Sequence, residues 1–136
     1  MESAPLTNLP VLGILIFAAV LVVAYLLLRR KSTGDSVDSY GSLSPAGAKE
    51  LAEQSDIVYL DVRTTKEIAA GSIDGAEHVD VMASGFSTKI EKLDKSKTYV
   101  VYCRSGRRSA NACNIMSKKG FDNLYNLSGG YLAWTS

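Results

Sequence analysis

Tyr99-Val100-Val101-Tyr102-Cys103-Arg104-Ser105-Gly106-Arg107-Arg108-Ser109 is the stretch on which the fold is read. Its first four residues are β-branched or aromatic, the composition of a buried strand. From Ser109 the chain runs on through Ala110-Asn111-Ala112-Cys113-Asn114-Ile115-Met116, which reads as a helix. A single cysteine stands at the strand's end, and five residues with three arginines and a glycine join it to the helix. A thiol is a nucleophile only as its thiolate. A helix N-terminus presents unpaired N–H groups and the positive end of its dipole. Gly106 lets the loop curl so that successive N–H groups converge on one point. Arg104, Arg107 and Arg108 add positive charge if they point inward. The stretch therefore reads as a cradle for a sulfur anion or an anionic substrate.

Upstream, Ser44-Pro45 is an N-cap followed by Pro in the first turn of a helix that stops near Ser55-Asp56. Ile57-Val58-Tyr59-Leu60 is a strand ending at Asp61-Val62-Arg63. Thr64 with Glu67 three residues on makes a capping box, and that short helix ends at Gly71. His78-Val79-Asp80-Val81 is a weaker strand. Residues 85–93 read as a helix with Phe86, Ile90 and Leu93 on one face. Downstream, residues 109–119 form the helix after the cradle, residues 123–127 a strand, and a final helical stub reaches Trp134. Strands alternating with helices predict an α/β domain, a central mostly parallel sheet flanked by helices in three layers. Sites in such sheets lie outside the carboxyl ends of the strands. Asp61 and Cys103 both fall at such ends, so Asp61 is expected to accept hydrogen bonds from the loop and orient it. Arg63 and Glu67 are expected to pair with each other.

The N-terminal part differs in kind. Residues 9–28 (LPVLGILIFAAVLVVAYLLL) carry no charged side chain. Twenty helical residues span about 30 Å, the thickness of a bilayer core. Arg29-Arg30-Lys31 follow directly, on the wrong side for a secretory signal peptide. The positive-inside rule places the following domain in the cytoplasm. The expected organisation is a short tail at 1–8, a transmembrane helix at 9–28, and a basic junction and flexible linker at 29–42. The folded domain occupies 43–136. The predicted localisation is the cell (inner) membrane, single-pass, with the lipid bilayer as a partner. A Ser/Gly/Asp-rich linker of this length reaches about 15–20 Å.

The net charge is +1, and without Glu2 and the Arg29-Arg30-Lys31 cluster it is −1, which argues against a nucleic-acid partner. Two cysteines and one histidine make neither a disulfide scaffold nor a structural zinc site, so no metal and no cofactor are expected.

The loop Cys103-Arg104-Ser105-Gly106-Arg107-Arg108-Ser109 resembles the active-site loop of the rhodanese family of sulfurtransferases. Leu60-Asp61-Val62-Arg63 with Glu67 resembles the family's first signature, and Gly71-Ser72-Ile73-Asp74-Gly75-Ala76 the turn that follows it. Asn126-Leu127-Ser128-Gly129-Gly130 through Trp134 resembles its C-terminal signature. The family often has His and Pro where Ser72 and Asp74 stand, and Pro at Asp80; these positions lie away from the cradle. The resemblance implies a rhodanese-like domain with Cys103 as the nucleophile. Cys103 would take the outer sulfur of a small anionic donor such as thiosulfate and pass it to a thiol or cyanide. It also implies that Arg104 and Arg108 contact the donor, while Arg107 is left to face water.

Phosphatase relatives of this fold carry Cys, five residues, then Arg. Here the sixth position after Cys103 is Ser109, and Arg108 comes one residue early, which suits a sulfur anion better than a phosphate ester. Cys113 reads as helix packing, with a resolving thiol as the other reading. His78 reads as structural rather than as a general base. A second class of function also fits: a membrane-tethered carrier or sensor of persulfide or nitrosothiol with little turnover.

Overall fold

A computed structural model describes residues 16–23, Tyr25 and residues 39–136, and the chain divides into two units, Met1–Val37 and Asp38–Ser136. In the first unit residues 16–23 and Tyr25 are helical, with exposed apolar side chains such as Phe17, Val20 and Leu21. The rest of the expected span at 9–28 lies outside the described residues, as do the tail at 1–8 and residues 29–38 of the junction. Among the described residues no helix is long and apolar enough to cross a membrane.

The second unit has β1 (Gly41–Leu43), α1 (Pro45–Gln54), β2 (Ile57–Asp61), α2 (Thr65–Ala69) and β3 (Glu77–His78). It continues with α3 (Phe86–Ile90), β4 (Thr98–Tyr102), α4 (Arg107–Lys118), β5 (Leu124–Leu127) and α5 (Gly130–Trp134). The strands form one sheet in the order β1-β5-β4-β2-β3, and every neighbouring pair is parallel.

Strand β4 is central because its side chains are apolar on both faces. Successive side chains on a strand point to opposite sides. Tyr99, Val101 and Cys103 therefore join Phe86 and Ile90 of α3 and Ala112, Cys113 and Met116 of α4. Val100 and Tyr102 join Ala48 of α1, Leu127, and the partly buried Tyr131 and Trp134 of α5. Val100 and Val101 are fully buried. Burying each such side chain stabilises the fold by about 1.5–3 kcal/mol.

Local signals set the helix starts. Ser44 Oγ accepts the Gly47 N–H at 3.1 Å, with Pro45 in the first turn. Thr64 and Glu67 form the capping box in both directions. Several boundaries differ from the sequence reading. The helix expected from Ser109 already begins at Arg107, because Gly106 caps it, so Arg107 and Arg108 lie in its first turn, and the strand expected at 123–127 starts at Leu124. Gly41 and Ser42, read as the end of the linker, lie in β1. Their composition hides a strand whose support comes from outside: β5 pairs with it, and the Ser128 N–H donates to Leu43 O at 2.8 Å. The third strand is only Glu77–His78, although Val79 and Val81 still donate to the Asp61 and Val62 carbonyls. The helix expected at 85–93 is regular only over Phe86–Ile90.

Candidate active site

Cys103 is the first residue beyond β4 and is 1% exposed. The Gly106 N–H donates to its Sγ at 3.1 Å, and the Ser109 hydroxyl lies within donating distance at 3.4 Å. Burial is the largest single influence on the thiol and opposes ionisation. The Ser109 hydroxyl and the amides of Ser109, Ser105 and Gly106 together outweigh it, so the thiol sits below its ordinary value. These donors thus favour the thiolate more than water would, around a sulfur that is almost fully buried.

The loop holds this shape because its carbonyls are tied elsewhere. The N–H groups of Tyr131 and Leu132, at the start of α5, donate to the carbonyls of Cys103 at 2.8 Å and Arg104 at 3.1 Å. With the Arg104 carbonyl turned to α5, the Ser105 N–H of the same peptide faces the sulfur, followed by the Gly106 N–H. Gly130 makes this approach possible: a Cβ there would lie 2.5 Å from Cys103 O and 2.6 Å from Arg104 C and O. Gly106 caps the N-terminus of α4 at φ +98°, in the left-handed region that favours glycine.

Asn126 on β5 was not among the residues expected at the site. Its Nδ2 donates to Gly106 O at 3.1 Å, and its Oδ1 accepts the Ser109 hydroxyl at 2.6 Å. The available signal was its place in the Asn126-Leu127-Ser128-Gly129-Gly130 stretch, near the carboxyl end of a strand.

The arginines of the loop part company. Arg104 and Arg107 are exposed and belong to no ion pair among the described residues. Arg108 is bound bidentately by Glu67, with Nη1–Oε2 at 2.9 Å and Nη2–Oε1 at 2.7 Å. Arg108 first, and then Thr64, hold the Glu67 carboxyl down at about 2. Arg108 therefore faces a carboxylate rather than an open anion site.

This overturns the expected pairing of Arg63 with Glu67. Arg63 turns back on Asp61, with Nη2–Oδ2 at 2.6 Å, and both are buried. The cause is local: the Arg63 N–H and Nε also reach the same carboxylate, and Nη2 donates to Gly71 O. The guanidinium lies 4.3 Å from the Tyr131 ring centroid. Asp61 is thus a partner for Arg63 and not an acceptor for the cysteine loop. Leu60 and Val62 point to the Cys103 side of the sheet, so Asp61 between them points to the other. Strand ends brought the two residues close in the sheet, but the alternation separates their side chains.

His78 Nε2 is 2.7 Å from Arg63 O and, since a carbonyl only accepts, donates to it. Cys113 is fully buried, and burial pushes its thiol up to about 12. Neither cysteine is in a disulfide. Among the described residues no cluster of His, Cys, Asp or Glu could hold a metal ion.

Comparison with known proteins supports the geometry. Residues 44–136 match the model of the rhodanese-like domain. The putative sulfurtransferase YtwF of Bacillus subtilis is 42% identical over 93 residues, covering 68% of this chain and 87% of that protein. The thiosulfate sulfurtransferase GlpE of Pseudomonas fluorescens is 32% identical over 98 residues, covering 72% and 87%. The crystal structure of a rhodanese-related protein from Thermoplasma volcanium superposes with a TM-score of 0.64 at 31% identity, covering 71% of this chain and 91% of that one. The family match and the placement of Cys103 at the carboxyl edge of the sheet lead to one conclusion: this chain belongs to the rhodanese family.

Proposed function

We propose that the domain is a sulfurtransferase that carries sulfane sulfur on Cys103, with thiosulfate or a similar small anion as donor. The observation that carries this reading is the buried Sγ facing the Gly106 amide and the Ser109 hydroxyl, with its thiol held below the ordinary value. The thiolate attacks the outer sulfur of thiosulfate. A new S–S bond forms, the old one breaks, and sulfite leaves with its electron pair. The resulting persulfide anion lies among the same donors. A thiol or cyanide acceptor then attacks the outer sulfur, and the Cys103 thiolate leaves with the bonding pair. The names of YtwF and GlpE support this class of reaction. Arg104 and Arg107, exposed beside the loop, supply the positive charge that draws an anionic donor.

The same proposal places the domain at the inner face of the cell membrane, tethered by a span at residues 9–28. The uncharged run, the Arg29-Arg30-Lys31 cluster and the exposed apolar side chains of the helical residues 16–23 support it. Alkaline extraction of membranes checks the tether, and release of the chain from them overturns it.

Intact-protein mass before and after exposure to thiosulfate tests the chemistry. The expected result is the added mass of one sulfur atom, located to Cys103 and removed by cyanide. An unchanged mass on folded protein sinks the reading.

A further inference from the structure

The geometry points to Asn126 as a positioning residue that sets two of the donors facing the Cys103 sulfur without touching the sulfur itself. The proposal rests on the reading of Cys103 as the reacting thiol. A carboxamide presents one acceptor oxygen and one donor nitrogen, and here each has a different task. The nitrogen donates to Gly106 O at 3.1 Å. Gly106 thereby has its carbonyl held by β5 as well as by the Ala110 N–H, while the N–H on the other side of its Cα points at Sγ, 3.1 Å away. The oxygen accepts from Ser109 Oγ at 2.6 Å. Turning the amide over would set its oxygen against Gly106 O, so the Gly106 contact fixes which end meets Ser109.

Ser109 has one hydroxyl proton and two acceptors within reach, Asn126 Oδ1 at 2.6 Å and Cys103 Sγ at 3.4 Å. Ser109 is fully buried, so no solvent competes for that proton. With a neutral thiol the shorter contact holds it. When the sulfur becomes an anion, as thiolate or persulfide, a small rotation about Cβ–Oγ turns the hydroxyl to the sulfur. Asn126 gives up a neutral hydrogen bond and the sulfur gains a charge-assisted one, the stronger of the two. No covalent bond changes in this step, and the proton stays on Ser109. Asn126 keeps the hydroxyl aligned between turnovers and within one rotation of the sulfur.

Rates of iodoacetamide alkylation at Cys103, measured against pH and read by mass at the peptide carrying it, test the idea. They need no sulfur donor, so they stand apart from the sulfur-transfer reading. Asn126→Leu removes the acceptor that competes for the Ser109 proton, which alone would lower the alkylation midpoint, but it also releases the Gly106 carbonyl and the position of Ser109 Oγ. The loss of both aligned donors outweighs the first effect, and the midpoint is expected to rise by about one pH unit, the size set by losing aligned hydrogen bonds to a charged group. Ser109→Ala is expected to move it up as well, and the double variant by less than the two shifts added. Asn126→Ala serves if the leucine variant does not fold. An unmoved midpoint, or full additivity with Ser109→Ala, overturns the proposal. A fall in melting temperature with an unmoved midpoint reduces Asn126 to a packing residue and overturns it too. If the midpoints behave as stated but thiosulfate leaves no sulfur on Cys103, the role of Asn126 stands and the sulfurtransferase reading falls.

Discussion

Glu67 grips the guanidinium of Arg108 with both carboxylate oxygens, joining the capping box of α2 to the first turn of α4 across 41 residues of sequence. The helix that follows the Cys103 loop is thereby fastened to α2, in addition to the ties that β5 and α5 make to the loop. Both partners are partly exposed, so the pair contributes only about 1 kcal/mol. Glu67→Gln should lower stability by about that amount at neutral pH.

The pH dependence has a definite sign. The Glu67 carboxyl is lowered from 4.5 to about 2 by folding, so its contribution is present above the unfolded value and lost as pH falls through the folded one. Melting curves of wild type and Glu67→Gln should converge between those two values. A gap that persists at the acid end would show that the pair is not what separates them.

Cys103→Ser should abolish persulfide formation, since a hydroxyl has no accessible anion at this pH. Cys113→Ser should leave it in place, because that thiol is buried with its pKa raised to about 12. Single-turnover sulfur loading, followed by mass, checks both. Loss of loading in the Cys113 variant alone would move the reacting sulfur to α4.

Arg63→Met should cost about 3–5 kcal/mol, because it leaves the buried Asp61 charge without its partner. The pair lies on the face of the sheet opposite Cys103. The alkylation midpoint of the folded variant should therefore match wild type while its melting temperature drops. A shifted midpoint would restore a direct role at the site.

Gly130→Ala removes no functional group, yet its Cβ would run into the backbone of Cys103 and Arg104 at φ +58°. A destabilisation of more than about 1 kcal/mol and slower Cys103 alkylation at neutral pH are expected together. Thermal melts and alkylation rates on one preparation settle it.

The sheet was legible from Tyr99-Val100-Val101-Tyr102 because two-sided burial leaves a continuous apolar run. The capping box at Thr64 and Glu67 was legible because it is local. What the sequence did not reveal was pairing. Nothing in Asp61-Val62-Arg63 says that the arginine turns back on its own strand end, leaving Glu67 to an arginine 41 residues away. Strand β1 was hidden for the same reason, since Gly41 and Ser42 owe their order to β5. Asn126 had no period to mark it, because its role lies in two hydrogen bonds to residues on another element.

The order in which the chain is made adds a last consequence. Strand β1 pairs with β5, and the carbonyls of Cys103 and Arg104 are held by amides of α5. A ribosome has therefore delivered Cys103 well before residues 124–132, which fasten its loop. Until they emerge, the cysteine has neither Asn126 nor the Tyr131 and Leu132 amides around it and keeps the reactivity of an ordinary thiol. The β2–β4 and β1–β5 pairings, Ile57 with Thr98 and Gly41 with Tyr125, are also distant in sequence, and long-range parallel pairing forms slowly. The activated sulfur thus comes into being only after residues 124–132 have been added and docked on its loop.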